Sequence, residues 1–334
     1  MTKVVRFNEL GGPEVLKIED ESARAPGAGE VQLEVRAIGL NRAEAMFRRG
    51  QYFEQPSFPS RIGYEVSGVV RAVGPDVTSC KAGDAVSTVP GYAQGQYGSY
   101  AEIAVVPASS IVMKPSALSF EQAASVWMQY LTAYGALVDI AGLTNGDAVV
   151  ISAASSSVGL AAIQIARHVG AIPIATTRTS AKRAALLAAG AAAAVATDED
   201  DVAAAIKAAS GGDGARVVFD PVGGPLVGKL ASGMGRGAQG RPALLFQYGG
   251  LSGEATPFPT MDAFRTGLSM RAYTLMEINA DPERLARGKA FVLAGLASGA
   301  LTPRIARTFP LDQIVEAHRF MESNEQIGKI VVTV

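Results

Sequence analysis

The strongest constraint on this chain is an alternation of short, apolar, strand-like segments with alanine-rich ones between Ala148 and Gln247. The strand-like segments are Ala148–Ser152, Ile172–Thr176, Ala192–Ala196, Arg216–Phe219 and Ala243–Gln247, with helical segments between them starting from Val158, Ala181, Glu199 and Val222. Connections of helix length return each strand parallel to the last, and a parallel sheet must be covered on both faces, so the pattern predicts a doubly wound α/β unit. At 334 residues the chain is too long for that unit alone, since about 150 residues per domain implies roughly two.

The remainder has a different texture. From Lys3 to about Pro115 short strands such as Glu30–Arg36, Gly68–Val73 and Ser99–Val105 are separated by Gly and Pro, which reads as mostly β. An apolar helical stretch follows from Phe120 through Ala136. Past Gly253 come a loop with Pro257 and Pro259, a strand at Ser269–Leu275 and a helix at Pro282–Leu296. Thr302–Thr308, a helix at Leu311–Met321 and a closing strand at Gly328–Val334 complete the chain. We therefore expect a β-rich domain at 1–122, a doubly wound domain at 123–265, and a C-terminal segment at 266–334. The strand near 269–275 would extend the parallel sheet, and the rest would return to the first domain.

Composition narrows the function. Lys and Arg number 30 against 31 Asp and Glu, for a net charge of -1, and a nucleic-acid or polybasic membrane-surface protein would carry a cationic surplus. The expected partner is a small molecule. The single cysteine, Cys80, excludes an intramolecular disulfide and a multi-cysteine zinc site, and reads as a bystander thiol. His168 falls near the end of a helix, where an imidazolium complements the dipole, and His318 lies on the last helix, at the surface or in the core. The first residues enter an alternating strand pattern rather than a signal peptide, and the uncharged run Ala148–Ala166 is broken by serines and Gln164. A cytoplasmic location is the default expectation.

The segment Val149-Val150-Ile151-Ser152-Ala153-Ala154-Ser155-Ser156-Ser157-Val158-Gly159-Leu160 runs from a β-branched strand through small residues into an apolar helix. Small side chains at Ser155, Ser156, Ser157 and Val158 let a pyrophosphate approach the N–H groups of the helix N-terminus, where the dipole favours an anion. Gly159 is the single match to the glycine fingerprint and would allow close helix–strand packing. An NAD site would place Asp or Glu about twenty residues on, yet no acid occurs between Asp147 and Asp198. The window holds Thr177, Arg178 and Lys182 instead, and the two cations suit a 2′-phosphate. NADPH is therefore expected over NADH.

Across essentially its whole length the chain resembles the zinc-independent quinone oxidoreductases of the medium-chain dehydrogenase/reductase superfamily. The resemblance is carried by Ala37–Glu44, Gly50-Gln51-Tyr52, Gly63–Gly74, Gly83–Val86, Leu131–Tyr134, Phe219–Gly224 and Gly328–Val331. It implies a GroES-like β-rich barrel domain beside a doubly wound Rossmann domain, with the active site in a cleft between them. Zinc-dependent members carry Cys where this chain has Asn41, His where it has Tyr64, and Cys or Asp near Met128, and they have a four-cysteine lobe where Gly91–Ala101 holds none. No metal site is expected.

The resemblance also implies roles. Asn41 and Tyr52 align with positions at the nicotinamide and substrate mouth and are the candidate hydrogen-bond donors; Tyr52 or solvent would relay the proton. Thr132 should contact the nicotinamide half, with Tyr248, Gly249 and Leu251 lining the nicotinamide. Thr197 stands where a tyrosine packs near the adenosine phosphate, and Lys329 should lie near the cofactor or the cleft mouth. Glu65 would orient backbone or a donor, Met46 makes the pocket less polar than a tyrosine would, and Trp127 and Met128 form a cleft wall or pack in the core. A homodimer paired through Arg271–Leu275 is implied as well. Without a metal, hydride transfer suits a conjugated acceptor whose own π system delocalises the charge, a quinone or an α,β-unsaturated carbonyl. An enoyl-thioester or alkenal reductase and a non-catalytic NADPH-binding sensor are the alternatives.

Overall fold

The computed structural model describes residues 1–237 and 240–334. Its strands are β1 (Thr2–Phe7), β2 (Lys17–Glu21), β3 (Glu30–Gly39), β4 (Ser60–Arg61), β5 (Glu65–Val73), β6 (Ala85–Thr88), β7 (Ile103–Pro107) and β8 (Ile111–Met113). They continue with β9 (Ala148–Ile151), β10 (Ile172–Thr177), β11 (Ala193–Ala196), β12 (Val217–Asp220), β13 (Leu244–Gln247), β14 (Ser269–Ala272), β15 (Ile305–Pro310) and β16 (Lys329–Thr333). The chain divides into two compact units, Met1–Met128 with Pro303–Val334, and Gln129–Thr302.

The first unit is built around β3, a ten-residue strand that is hydrogen-bonded along both edges. One edge pairs with β5 along most of its length; the other takes β7 at residues 30–34 and β16 at residues 37–39. Register shifts between Gln32 and Leu33 and between Val35 and Ala37 bend the strand, as bulges do in barrel-like sheets. The core gathers Val31, Leu33, Val35 and Ile38 of β3 with Phe7, Phe47, Tyr64, Val66 and the returning Phe309, Ile314, Ile330 and Val332. The last helix, Ile314–Ser323, buries His318 completely, so this histidine belongs to the core.

The second unit is a six-stranded sheet in the order β11-β10-β9-β12-β13-β14, and every pairing in it is parallel. Its central strands β9 and β12 are buried throughout, and Val150, Ile174, Val195, Val218 and Leu245 pack with helix residues Ile206, Val227 and Leu230. The order runs outward from β9 through β10 to β11, and in the other direction through β12, β13 and β14. The strand order therefore reverses between β9 and β12, which is where doubly wound sheets open a crevice for ligands.

Two local readings needed the tertiary structure. The helix after β12 starts at Leu226 rather than Val222. Gly223 and Gly224 take φ of 69° and 63°, and the Asp220 carboxylate accepts the N–H groups of Val222 and Gly223, so a turn precedes the helix. The apolar stretch from Phe120 is likewise broken into helices Phe120–Ala123 and Trp127–Tyr134. The buried Glu65 carboxylate causes the restart by accepting from the backbone N–H groups of Val126, Trp127 and Met128 at 3.1, 2.7 and 3.2 Å.

Candidate active site

In the second unit the turn after β9 enters the helix Ser157–His168. Ser156 caps it, its hydroxyl accepting from Gly159 N–H at 3.0 Å. The N–H groups of Ser157 and Val158 lie in the first turn, before any intrahelical partner is available to them. Ala153 takes φ of 46°, and Ala154 N–H donates to Thr176 of the neighbouring strand at 3.1 Å, which pins the turn against β10. Ser152 donates its hydroxyl to Asp220 at the end of β12, so the same carboxylate ties the turn after β9 to the turn after β12.

Gly159 is indispensable to this geometry. A Cβ there would sit 2.5 Å from Ala154 Cα and 2.6 Å from its carbonyl oxygen, both backbone atoms that cannot swing aside. Gly159→Ala should therefore cost about 1–3 kcal/mol by overpacking and weaken dinucleotide binding with it. Thermal unfolding with and without NADPH would check this, and an unchanged midpoint in both would refute it.

The residues expected at the adenosine end converge. Lys182 places Nζ 3.2 Å from Ser155 Oγ, bringing a cation onto the turn from a position 27 residues later. Arg178 follows β10 immediately and is exposed, while Thr177 ends that strand. Thr197 ends up beside them because its N–H donates to the Thr177 carbonyl at 2.8 Å, and Asp198 N–H reaches Arg178 O at 3.0 Å. Acids do stand close by on the β11 side, but they have other work. Asp200 accepts from Arg183 at 2.6 Å and from Ala196 N–H at 2.8 Å, and Glu199 accepts from Ser180 N–H at 3.1 Å. Lys229, not singled out in the sequence, donates to the Thr197 carbonyl at 3.3 Å.

At the other end, Tyr248 N–H donates to Asp220 O at 2.9 Å. Its ring stacks on Phe219 with centroids 4.0 Å apart, and burial pushes its hydroxyl well above the usual range. Gly249 is held against Pro221, where a Cβ would meet the carbonyl oxygen at 2.8 Å, and Leu251 is largely exposed. Thr132 is buried on the helix Trp127–Tyr134.

In the first unit Asn41 caps the helix Arg42–Arg48, with Glu44 closing the capping box on the Asn41 N–H. The N-x-x-E spacing of that box was legible in the sequence, although Glu44 itself attracted no functional reading there. Both N–H groups of the Asn41 amide are committed to protein acceptors. Nδ2 lies 3.0 Å from Gly39 O, 3.2 Å from Glu44 Oε1 and 3.5 Å from Glu65 Oε2. Asn41 thus presents no spare donor among these contacts, which differs from the donor role expected of it. Lys329 is fully buried, with Nζ 2.6 Å from Glu65 Oε2 and 2.5 Å from Asn41 Oδ1. Burial pushes the fully enclosed Glu44 carboxyl up to about 8.

Tyr52 is half-buried, and its ring lies edge-on to Tyr64 at 6.4 Å. Desolvation raises its hydroxyl to about 12, so it stays a protonated donor at physiological pH. Tyr64 is buried, and its phenol is pushed up further by the same cause. Asn41, Tyr64 and Met128 offer an amide, a phenol and a thioether where a zinc site needs thiolate, imidazole or carboxylate, and among the described residues no group of three His, Cys, Asp or Glu is placed to hold a metal. These residues do not fit zinc. Cys80 is buried away in the first unit's core, His168 packs against Phe291 at 5.4 Å, and Trp127 is a core residue whose indole donates to Ser87 at 2.8 Å.

A β-rich unit in one chain with a doubly wound unit whose turn after β9 meets Lys182 fits a dinucleotide-binding architecture. The comparisons narrow that class. Residues 27–116 match the family model for the alcohol dehydrogenase GroES-like domain, and residues 189–332 match one described as zinc-binding dehydrogenase. The chain is 30% identical to human quinone oxidoreductase, over 99% of its own length and 98% of the relative's. It is 36% identical to a stretch of the spectinabilin polyketide synthase system protein NorB of Streptomyces orinoci, over 94% of this chain but 13% of that one. Among solved structures it superposes on Escherichia coli quinone oxidoreductase complexed with NADPH with a TM-score of 0.89, at 29% identity over 99% of this chain and 100% of that one. The chain belongs to the medium-chain dehydrogenase/reductase superfamily, in its quinone oxidoreductase type, a family of oxidoreductases.

Proposed function

We propose that this protein is an NADPH-dependent, metal-free reductase that delivers hydride to quinones or α,β-unsaturated carbonyl compounds. The observation that carries the reading is the meeting of Lys182 with Ser155 beside exposed Arg178 at the switch point, in a chain similar throughout to a quinone oxidoreductase solved with NADPH. When bound, the dinucleotide supplies the hydride. The helix Ser157–His168 receives the pyrophosphate at its N-terminus, and Arg178 and Lys182 pair with the 2′-phosphate. Thr132, Tyr248, Gly249 and Leu251 border the nicotinamide, Thr197 borders the adenosine end, and Tyr52 donates its O–H to the oxygen on which charge develops. A conjugated acceptor supplies its own electron sink, which is why an amide and a phenol suffice where zinc enzymes place ligands.

A second reading, reduction of an enoyl thioester, is favoured by the identity to a segment of a polyketide synthase system protein, because polyketide chains are carried as thioesters. Steady-state turnover of a quinone, an enone and an enoyl thioester with both nicotinamides tests the two together. We expect turnover with NADPH and the quinone or enone; activity confined to the thioester would move the assignment, and NADPH binding with no turnover would favour a sensor.

Assembly as a homodimer is part of the same reading. β14 is the outer strand of the second unit's sheet and is largely exposed. Sedimentation should give twice the chain mass, and a monomer at working concentration would remove this element. No helix among the described residues is long and apolar enough to cross a membrane.

A further inference from the structure

We propose that Lys329 is a positioning residue for Asn41: its buried ammonium, anchored by Glu65, holds the Asn41 carboxamide in one orientation. The proposal rests on the reading that Asn41 meets the bound nicotinamide or acceptor. Lys329 opens β16, and Asn41 follows β3, the strand with which β16 pairs through Val331 and Gly39. The Leu40 N–H donates to Ile330 O at 3.0 Å, so the backbones of the two residues are locked together before their side chains meet.

The contacts then leave the amide one way to sit. Oδ1 accepts from Lys329 at 2.5 Å while Nδ2 faces the Gly39 carbonyl and the Glu44 and Glu65 carboxyl oxygens. Turning the amide over would set an NH₂ against an ammonium and a carbonyl oxygen against the Gly39 carbonyl and the Glu65 carboxyl oxygen, with solvent nearly excluded. The consequence is chemical. With both N–H groups spent, the group Asn41 can offer a ligand is the second lone pair of Oδ1, an acceptor. It would suit an O–H or N–H of the cofactor or of the acceptor, and it leaves donation to Tyr52. Crowding makes the arrangement rigid, since a Cβ on Gly39 would lie 2.8 Å from Lys329 Cε.

A double-mutant cycle on kcat with NADPH and a quinone tests the coupling. Lys329→Met should lower kcat by about 10- to 100-fold, the scale of a misplaced reacting group, with a smaller change in KM for NADPH. In an Asn41→Ala background the same substitution should change kcat by less than about twofold, because the group it acts through is gone. Losses that multiply in full, or a Lys329→Met enzyme with normal kcat, would overturn the proposal. If Lys329→Met fails to fold, the wild-type protein still decides. Its Asn41 side-chain amide should show two resolved Nδ2 proton resonances that exchange slowly with solvent, and an averaged, rapidly exchanging pair would refute a fixed orientation. Absence of turnover with every conjugated acceptor would defeat the functional reading alone, and the amide resonances would then settle this inference by themselves.

Discussion

Arg178→Ala should weaken NADPH binding by about 10- to 100-fold and leave NADH within about threefold, as measured by calorimetry at fixed ionic strength. The magnitude is that of one charge-assisted contact to a phosphoryl group, roughly 1.5–3 kcal/mol at about 1.4 kcal/mol per tenfold. Arg178 stands exposed at the end of β10, Lys182 reaches Ser155, and Asp200 and Glu199 are engaged by Arg183 and the Ser180 N–H. Lys182→Ala should also weaken NADPH, and additionally raise the NADH dissociation constant, because Ser155 belongs to the turn both dinucleotides use. Equal losses of the two dinucleotides on Arg178→Ala would show that the arginine does not read the 2′-phosphate, and the cofactor assignment would fall with it.

His318→Leu should remove much of the protein's acid sensitivity. His318 is fully buried against Tyr100, and burial, with Arg48 and Arg42 adding like charge, pulls its imidazole down to about 3. In the unfolded chain it titrates near 6.5. Between those values the unfolded state holds the extra proton, so stability is fully present above about pH 6.5 and is lost as pH falls toward 3, by up to about 1.4 kcal/mol per pH unit. Glu44 works in the opposite sense. Its raised pKa favours the native state below the unfolded carboxyl's value and withdraws that stability as pH climbs toward 8. Urea unfolding of wild type and His318→Leu at pH 7 and pH 4.5 should give a difference of differences of roughly 2–3 kcal/mol in favour of the variant at the lower pH. Parallel losses in the two proteins would place acid sensitivity on the carboxylates instead.

The parallel sheet was legible in the sequence because its signals are local. Strand-length β-branched runs, helix-length spacers and a turn of small residues each report on a few neighbouring side chains, and the observed strands fall within two residues of those runs from β9 to β13. Arg178 and Lys182 were legible for the same reason, since the distance from turn to second strand end is fixed by one helix and one strand. The helix breaks at Val126 and Val222 were not, because the groups responsible, Glu65 and Asp220, act through side-chain oxygens on a backbone that propensity alone would have kept helical or left unassigned.

By itself the sequence determined which segments of the parallel sheet are strands, that two domains are needed, and that a cationic window stands where an acid would select NADH. Only the tertiary structure decided that Lys329 joins Asn41 from 288 residues away, that Ser152 and Asp220 share a hydrogen bond, and that His318 is a core residue. The reason is one of range. Periodicity and spacing record what a residue does to its neighbours along the chain, whereas the charge of a buried ammonium is matched by whichever strand the sheet lays beside it.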